Sequence, residues 1–376
     1  MDRAPIFKIP SGDETTARAP VPAGAAIITD LPDSRGSNVQ RREFLSKLAA
    51  LKPLLIIDAG GNAGGRPFFD TRFFRNELTA GSGGIEVPVA TIGGESAGEL
   101  YGSLPAGRTE SFLSMNLGVT EEPWPLRNVV GVLPGSDPKL AETCLILSAH
   151  YDGTGPGRSA QTGQIWNGAN DNASGAASVI EIAAALASLE EKPKRSIVFA
   201  AFFGEEGGLL GSRFYALHPV FPLDKTIAMV NLEQLGRTDS RDGDQTGRAS
   251  LTGFDFSDMG VIFRRAGEMT GVTVYNDGKN SDLYFSGSDN LSLARLGVPA
   301  HTVCVAYQFA DYHGAGDDWP KIDYDNMALT DRMVATGVLM LAQSGRIPLW
   351  NPSNPKAAPY LEAWRKLHPA GVGDGS

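Results

Sequence analysis

Five side chains spread along the middle of this 376-residue chain, His150, Asp171, Glu206, Glu233 and His313, are of the types that ligate divalent metal ions. Two imidazoles and three carboxylates are enough donors for a pair of dications that prefer nitrogen and oxygen ligands. Each sits in a distinctive stretch: Ala149-His150-Tyr151-Asp152, Gly168-Ala169-Asn170-Asp171-Asn172-Ala173-Ser174-Gly175, Gly204-Glu205-Glu206-Gly207, Asn231-Leu232-Glu233 and Tyr312-His313. A metal pair held this way would polarise a carbonyl and activate water, which is the chemistry of a hydrolase.

The local sequence around each residue adds detail. His150 closes an apolar run, so its ring should emerge at a strand end. Asp152, two residues on, is placed to accept the imidazole's second N–H and leave the other nitrogen for metal. The small residues flanking Asp171 let backbone and carboxylate crowd a metal pair, while Asn172–Ser174 read as the cap of a following helix. Glu205 and Glu206 end another apolar run, where adjacent buried acids are costly without a compensating cation or proton. Neighbouring residues point in different directions, so one acid can ligate metal while the other serves as a general base. Taken singly, each of these features has a plain structural explanation; their common placement at strand ends is what carries the reading.

The elements that must position them follow from periodicity. Residues 1–125 alternate short apolar runs with Gly/Pro-rich turns, giving strands at Ala25–Thr29, Leu54–Asp58 and Glu86–Ile92, and an amphipathic helix at Arg41–Leu51. Thr120–Pro125 reads as a linker. Residues 126–346 hold unbroken apolar strands, Asn128–Leu133, Leu145–His150, Ser196–Phe203, Ile227–Leu232 and Ala300–Val305, which belong in a sheet covered on both faces. Helices are expected at Ser174–Leu189, Leu209–Leu217, Ser257–Thr270 and Tyr324–Ala342. The fold class is therefore α/β: a doubly wound α/β/α sandwich with a mixed, mainly parallel central sheet, plus a smaller N-terminal α/β module. Residues 347–376 read as a surface tail.

Composition narrows the function classes. A formal charge of -10 argues against a nucleic-acid partner. No apolar run reaches the ~18 residues of a membrane span, and no leader segment is visible at the N-terminus. Cys144 and Cys304 each lie in an apolar run and are expected to be free buried thiols. His218, His301 and His368 are read as structural or exposed.

With these motifs in hand, residues 126–345 resemble the co-catalytic zinc exopeptidases, the family of bacterial leucyl aminopeptidases, aminopeptidase Y and glutamate carboxypeptidase. The resemblance implies two zinc ions per chain, Asp171 bridging them, His150 and Glu233 on one, Glu206 and His313 on the other. It further implies Glu205 as the base for a metal-activated water, and Tyr312 as a group polarising the scissile carbonyl. A peptide is the implied substrate, and a secreted or periplasmic setting the implied location. One departure stands out, because many relatives carry Asp where this chain has Glu233. The N-terminal module resembles the protease-associated domain, notably around Leu54–Asp58 and Val87–Leu100.

Alternatives remain open at this level. A zinc carboxypeptidase or dipeptidase would share the ligand set, but no Arg cluster marks a pocket for a terminal carboxylate. A glutaminyl cyclase would use a single zinc. A serine esterase is raised by Gly94-Glu95-Ser96-Ala97-Gly98, which satisfies the nucleophile-elbow pattern; Ser96-Ala97-Gly98-Glu99 is equally a helix capping box.

Overall fold

The computed structural model describes residues 2–11, 20–31, 38–61, 68–70, 87–116, 125–155 and 165–369. The chain divides into two compact units, residues 1–123 and 124–376.

In the first unit, β1 (Ala4–Lys8), β2 (Ala26–Thr29), α1 (Asn38–Ala50), β3 (Leu55–Gly61), β4 (Phe68–Asp70), β5 (Val89–Gly93), α2 (Glu95–Ser103) and β6 (Gly107–Leu113) follow in order. The strands form one sheet ordered β4-β5-β3-β2-β1-β6. Its four inner strands run parallel, and an antiparallel strand pairs at each edge. Alternation along the strands sends Ile27 and Ile56 to one face against Leu48 of α1, and Ile28 and Ile57 to the other with Leu104. Ser96 lies exposed in the first turn of α2, whose N-cap is Gly94, without a side-chain cap. The capping-box expectation is thus corrected, since the helix begins one residue before Ser96. Thr120–Trp124 of the expected linker, like Glu86, falls outside the described residues.

The second unit holds β7 (Val129–Leu133), β8 (Cys144–His150), α3 (Gly175–Ser188), β9 (Ser196–Phe202), α4 (Leu210–Leu217), β10 (Thr226–Glu233), β11 (Asp239–Ser240), β12 (Gly243–Asp244), β13 (Arg248–Leu251), α5 (Met259–Thr270), β14 (Thr273–Tyr275), α6 (Gly278–Leu283), α7 (Asn290–Ala294), β15 (Ala300–Cys304), α8 (Tyr324–Gln343) and α9 (Ala358–Leu367). Its main sheet runs β14-β13-β15-β10-β8-β9-β7. The four central strands are parallel, so their carboxyl ends share one edge. Every residue of β8 is buried, with Leu145 and Leu147 packing against α3 and α8 on one face and Cys144 and Ile146 against the opposite layer of α4, α7 and α9. This is the mixed, mostly parallel α/β/α arrangement that unbroken apolar strands require. Both cysteines are buried and free. No helix among the described residues is long and apolar enough to cross a membrane.

The segment after Gly345 differs from a surface wrap. Trp350 is 2% exposed, packs on Phe285, His301 and Tyr360, and donates its indole N–H to the Gly297 carbonyl at 2.7 Å. A side chain at Gly297 would strike Trp364 backbone at 2.5 Å, so α9 closes tightly over this point. Sequence reading missed this because proline and glycine dominate the segment while one tryptophan carries the burial. Replacing Trp350 with Ala should cost ~3–5 kcal/mol, the range for deleting a buried large aromatic; the midpoint of urea unfolding measures it.

Candidate metal centre

The carboxyl edge of the central sheet gathers all five sequence-predicted ligands. Register explains how: His150 pairs with Phe202, three residues before Glu205, and Glu233 pairs with Cys304 at the end of β15. His313 follows on the loop after β15, with φ of 51°. The donors fall into two triads, His150–Asp171–Glu233 and Asp171–Glu206–His313, each with ligand atoms within 4.8 Å of one another. Asp171 belongs to both. Its Oδ1 lies 3.4 Å from His150 Nε2, and its Oδ2 lies 3.0 Å from His313 Nε2. Glu206 Oε1 is 3.4 Å from His313 Nε2. The extra methylene of Glu233 therefore does not remove its carboxylate from the cluster.

Electrostatics show a site short of positive charge. Burial would depress the His150 imidazole, yet Asp152, Asp171, Glu205 and Glu233 outweigh it and hold it well above the usual histidine range. Burial likewise opposes His313, and Asp171 and Glu206 carry it up to about 10. Burial opposes ionisation of Asp171 too, but its two imidazole partners bring it down to about 2. Burial, with neighbouring acids, pushes Glu233 up to about 7 and Glu205 well above the carboxylate range, against the pull of His150. The Tyr312 phenol is raised by burial and by the same carboxylates. Buried acids in such density need compensating cations. His150 Nε2 and Glu206 Oε1 are also buried without a hydrogen-bond partner among the described residues. Orphaned ligand-type atoms, one in each of the two triads that share Asp171, fit a pair of metal ions.

The backbone around these ligands is held by side chains that sequence reading assigned otherwise or missed. The Asp152 carboxylate accepts the N–H groups of Glu205 (3.1 Å) and Glu206 (3.3 Å), fixing that turn. The imidazole of His150 instead meets the Asp152 backbone carbonyl at 3.1 Å, with the carboxylate at 3.6 Å. Asp152 thus acts on the imidazole through both groups, the carbonyl by a hydrogen bond and the carboxylate by its charge, while the same carboxylate holds two amides. Asn172 caps α3 as expected, its Oδ1 accepting the Gly175 N–H at 3.0 Å, whereas Ser174 turns its hydroxyl to the Asn170 carbonyl at 2.7 Å. Asn172 donates to the Leu232 carbonyl at 2.9 Å, Asn170 accepts the Gly236 N–H at 2.7 Å, and Ser174 accepts the Leu235 N–H at 3.1 Å. These bonds stitch the Asp171 loop onto the turn beyond Glu233. The small neighbours do make close approach possible, because a Cβ on Gly168 or Gly175 would meet backbone oxygens at 2.4 and 2.6 Å.

Two functional neighbours escaped sequence reading. Asp317 is buried, and its carboxylate accepts the N–H of Asn170 at 2.9 Å and of Asp171 at 3.0 Å. It ties the loop of the shared ligand to the loop of His313. The only sequence signal was its place four residues after His313. Asp289 is fully buried with neither carboxylate oxygen hydrogen-bonded among the described residues. Burial raises it to about 6, and its charge acts on Glu205 and Glu233. An acid opening the apolar stretch Leu291–Ala294 was the available hint. His301 is structural as expected, bonded to Ser257 and the Thr252 carbonyl. Ser96 belongs to the other unit, and no hydrogen bond joins it to a histidine among the described residues.

A peptidase that works with metal is the class of protein to which this sheet and this donor set belong. Residues 128–338, more than half of the chain, match the model of Peptidase family M28, and the chain belongs to that family. It is 29% identical over 196 residues to the vacuolar membrane protease of Tuber melanosporum (strain Mel28), covering 51% of this chain and 18% of that one. It is 36% identical over 118 residues to a probable zinc metalloprotease of Pyrenophora teres f. teres (strain 0-1), covering 31% and 24%. The chain thus spans under a quarter of each fungal protein. It also matches the uncharacterized protein YfbL of Escherichia coli (strain K12) at 26% identity over 266 residues, 63% of this chain and 78% of that one. Among solved structures, an aminopeptidase from Aneurinibacillus sp. strain AM-1 superposes with a TM-score of 0.56 at 20% identity, over 94% of this chain and 78% of that one. A zinc aminopeptidase from Bacillus subtilis gives 0.53 at 19%, over 91% and 75%. At these identities the structural likeness is one of fold.

The Asp317 clamp predicts a graded result. Asp317→Ala should weaken divalent-metal affinity by ~10–100-fold, the usual cost of losing a residue that orients a ligand. Asp317→Asn, which keeps one acceptor oxygen, should fall between; titration against a competing chelator measures both. Binding by the folded chain should also raise its Tm, with ~2.7 kcal/mol expected at a hundredfold excess over Kd.

Proposed function

We propose that the protein is a two-zinc aminopeptidase that removes N-terminal residues from peptides. The observation that supports this most is Asp171, whose two carboxylate oxygens face different imidazoles and so divide the donors into two sets. His150, Asp171 and Glu233 would hold one ion, and Asp171, Glu206 and His313 the other. The names of two relatives, a probable zinc metalloprotease and a zinc aminopeptidase, support zinc. Once bound, the ions supply positive charge that polarises the scissile carbonyl and makes water a stronger acid.

The chain's own groups do the rest. Glu205 reaches the same cluster, with Oε2 3.9 Å from His150 Nε2, but belongs to neither donor set. It is the general base: its carboxylate takes the proton of the attacking water and passes it to the departing amide nitrogen. Asp152 keeps Glu205 and Glu206 on their separate tasks by holding both amides. Tyr312, kept protonated by the surrounding acids, is a hydrogen-bond donor for the carbonyl oxygen as it gains charge.

An N-terminal substrate end is favoured over a C-terminal one by charge. The cavity next to Glu233 is lined by neutral groups and that one acid. Arg237, on the loop after β10, is already paired with Asp239 and Asp311. An acidic surround suits an α-ammonium and repels a terminal carboxylate. The N-terminal unit is read as a protease-associated-like module attached to this catalytic unit.

Two results are expected. Glu205→Gln should lower kcat on aminoacyl-p-nitroanilides by ~10²–10⁴-fold, the usual contribution of a general base, while the metal content measured by atomic emission stays at the wild-type level. Retention of full activity by that variant refutes the assigned base. Chelation should abolish hydrolysis, and zinc add-back should restore it with a break at two equivalents, whereas N-acetylated substrates should resist throughout.

A further inference from the structure

A small, partly open pocket of about 40 Å³ adjoins the metal centre, with Glu233 and Tyr312 among its lining residues. Resting on the aminopeptidase reading, we propose that this cavity receives the side chain of the substrate's first residue and that it selects small ones, alanine and serine, with Tyr284 as the wall that sets the limit.

Volume comes first. A water needs roughly 10–15 Å³ of such space and a cavity near 150 Å³ takes benzene, so 40 Å³ fits a side chain of one or two heavy atoms and excludes leucine and phenylalanine. The walls are then fixed against expansion. Tyr284 and Tyr307 stack at 4.9 Å between ring centroids, 11° from parallel. The Tyr284 hydroxyl accepts a hydrogen bond from Gln308 Nε2 at 2.6 Å, and the Tyr307 hydroxyl donates to Ser250 at 3.1 Å. Neither ring can swing aside without breaking a bond and a stack.

The chemistry of the lining points the same way. Thr302 and Ser288 spend their hydroxyls within the fold, Thr302 donating to Asn290 at 2.9 Å and both accepting from Asn231. Their hydroxyls are therefore already engaged before a substrate enters. Gln234, by contrast, is 4% exposed, lines the cavity, and its side-chain oxygen has no hydrogen-bond partner among the described residues. A serine hydroxyl entering here would satisfy it, while an alanine methyl would meet the tyrosine faces and the Cys304 thiol. Gln234 takes a left-handed backbone conformation, φ 55°, immediately after the ligand Glu233. The side chain that greets the substrate is thereby set by the same turn that sets the metal ligand.

The test is a substrate profile with the zinc-loaded full chain. Alanyl- and seryl-p-nitroanilide should exceed leucyl- and phenylalanyl-p-nitroanilide in kcat/KM by at least about tenfold, the lower end of what one misfitting methylene achieves. Tyr284→Ala should erase or reverse that ratio, and Tyr284→Phe, which keeps the ring, should preserve it. Product inhibition of the wild type gives a second readout that needs no variant: free alanine should compete more strongly than free leucine. Hydrolysis that favours leucine or phenylalanine overturns the cavity assignment alone, as does a Tyr284→Ala enzyme with an unchanged ratio. Hydrolysis of none of the four overturns the aminopeptidase reading together with it.

Discussion

The catalytic unit depends on one shared carboxylate. Asp171 stands between two imidazoles that come from opposite ends of the domain's sequence, and both of its oxygens are committed. A single anion between two donor sets sets the spacing of everything else, because each further ligand must approach from its own side. The excess of buried acid around it would be destabilising in isolation. That same excess is what makes the place suited to dications.

Holding such a group still takes more than the ligands themselves. Asp152, Asp317 and the Asn170–Asn172–Ser174 set all work by binding backbone N–H and carbonyl groups of ligand-bearing loops. Loops fixed by carboxylate-to-amide bonds have little freedom to drift, since a charged acceptor makes each such bond stronger than a neutral pair. The rigid parallel sheet supplies a common edge, and these bonds convert that edge into fixed positions for side chains.

Much of this was legible in the residues. The apolar strands β8, β9, β10 and β15 announced themselves because central parallel strands have no solvent face, and α3, α5 and α8 showed helical spacing. His150 and Glu233 were legible because they close two of those strands, Glu206 and His313 because they follow two others, and Asp171 because small residues surround it just before α3. Short elements were not: β13 and β14 span four and three residues, too few for a period to repeat. The local roles of Asn172 at the start of α3 and of Asp152 beside His150 were legible, but each side chain also has a second task that was not. Local sequence indicates a nearby backbone partner, whereas these further partners lie 53 to 62 residues away. Asp317 and Gln234 stand close in sequence to His313 and Glu233, but their contacts across the fold gave no local signal.

The order of strands carries a consequence for biosynthesis. β15 is the last strand of its sheet in sequence, yet it lies between β13 and β10, near the middle. Until it emerges from the ribosome the sheet has a gap, and the loop bearing His313 has nowhere to sit. A chain ending before residue 300 therefore carries the donors of one triad and lacks His313 of the other. Topology alone thus makes the second donor set the last part of the centre to be completed.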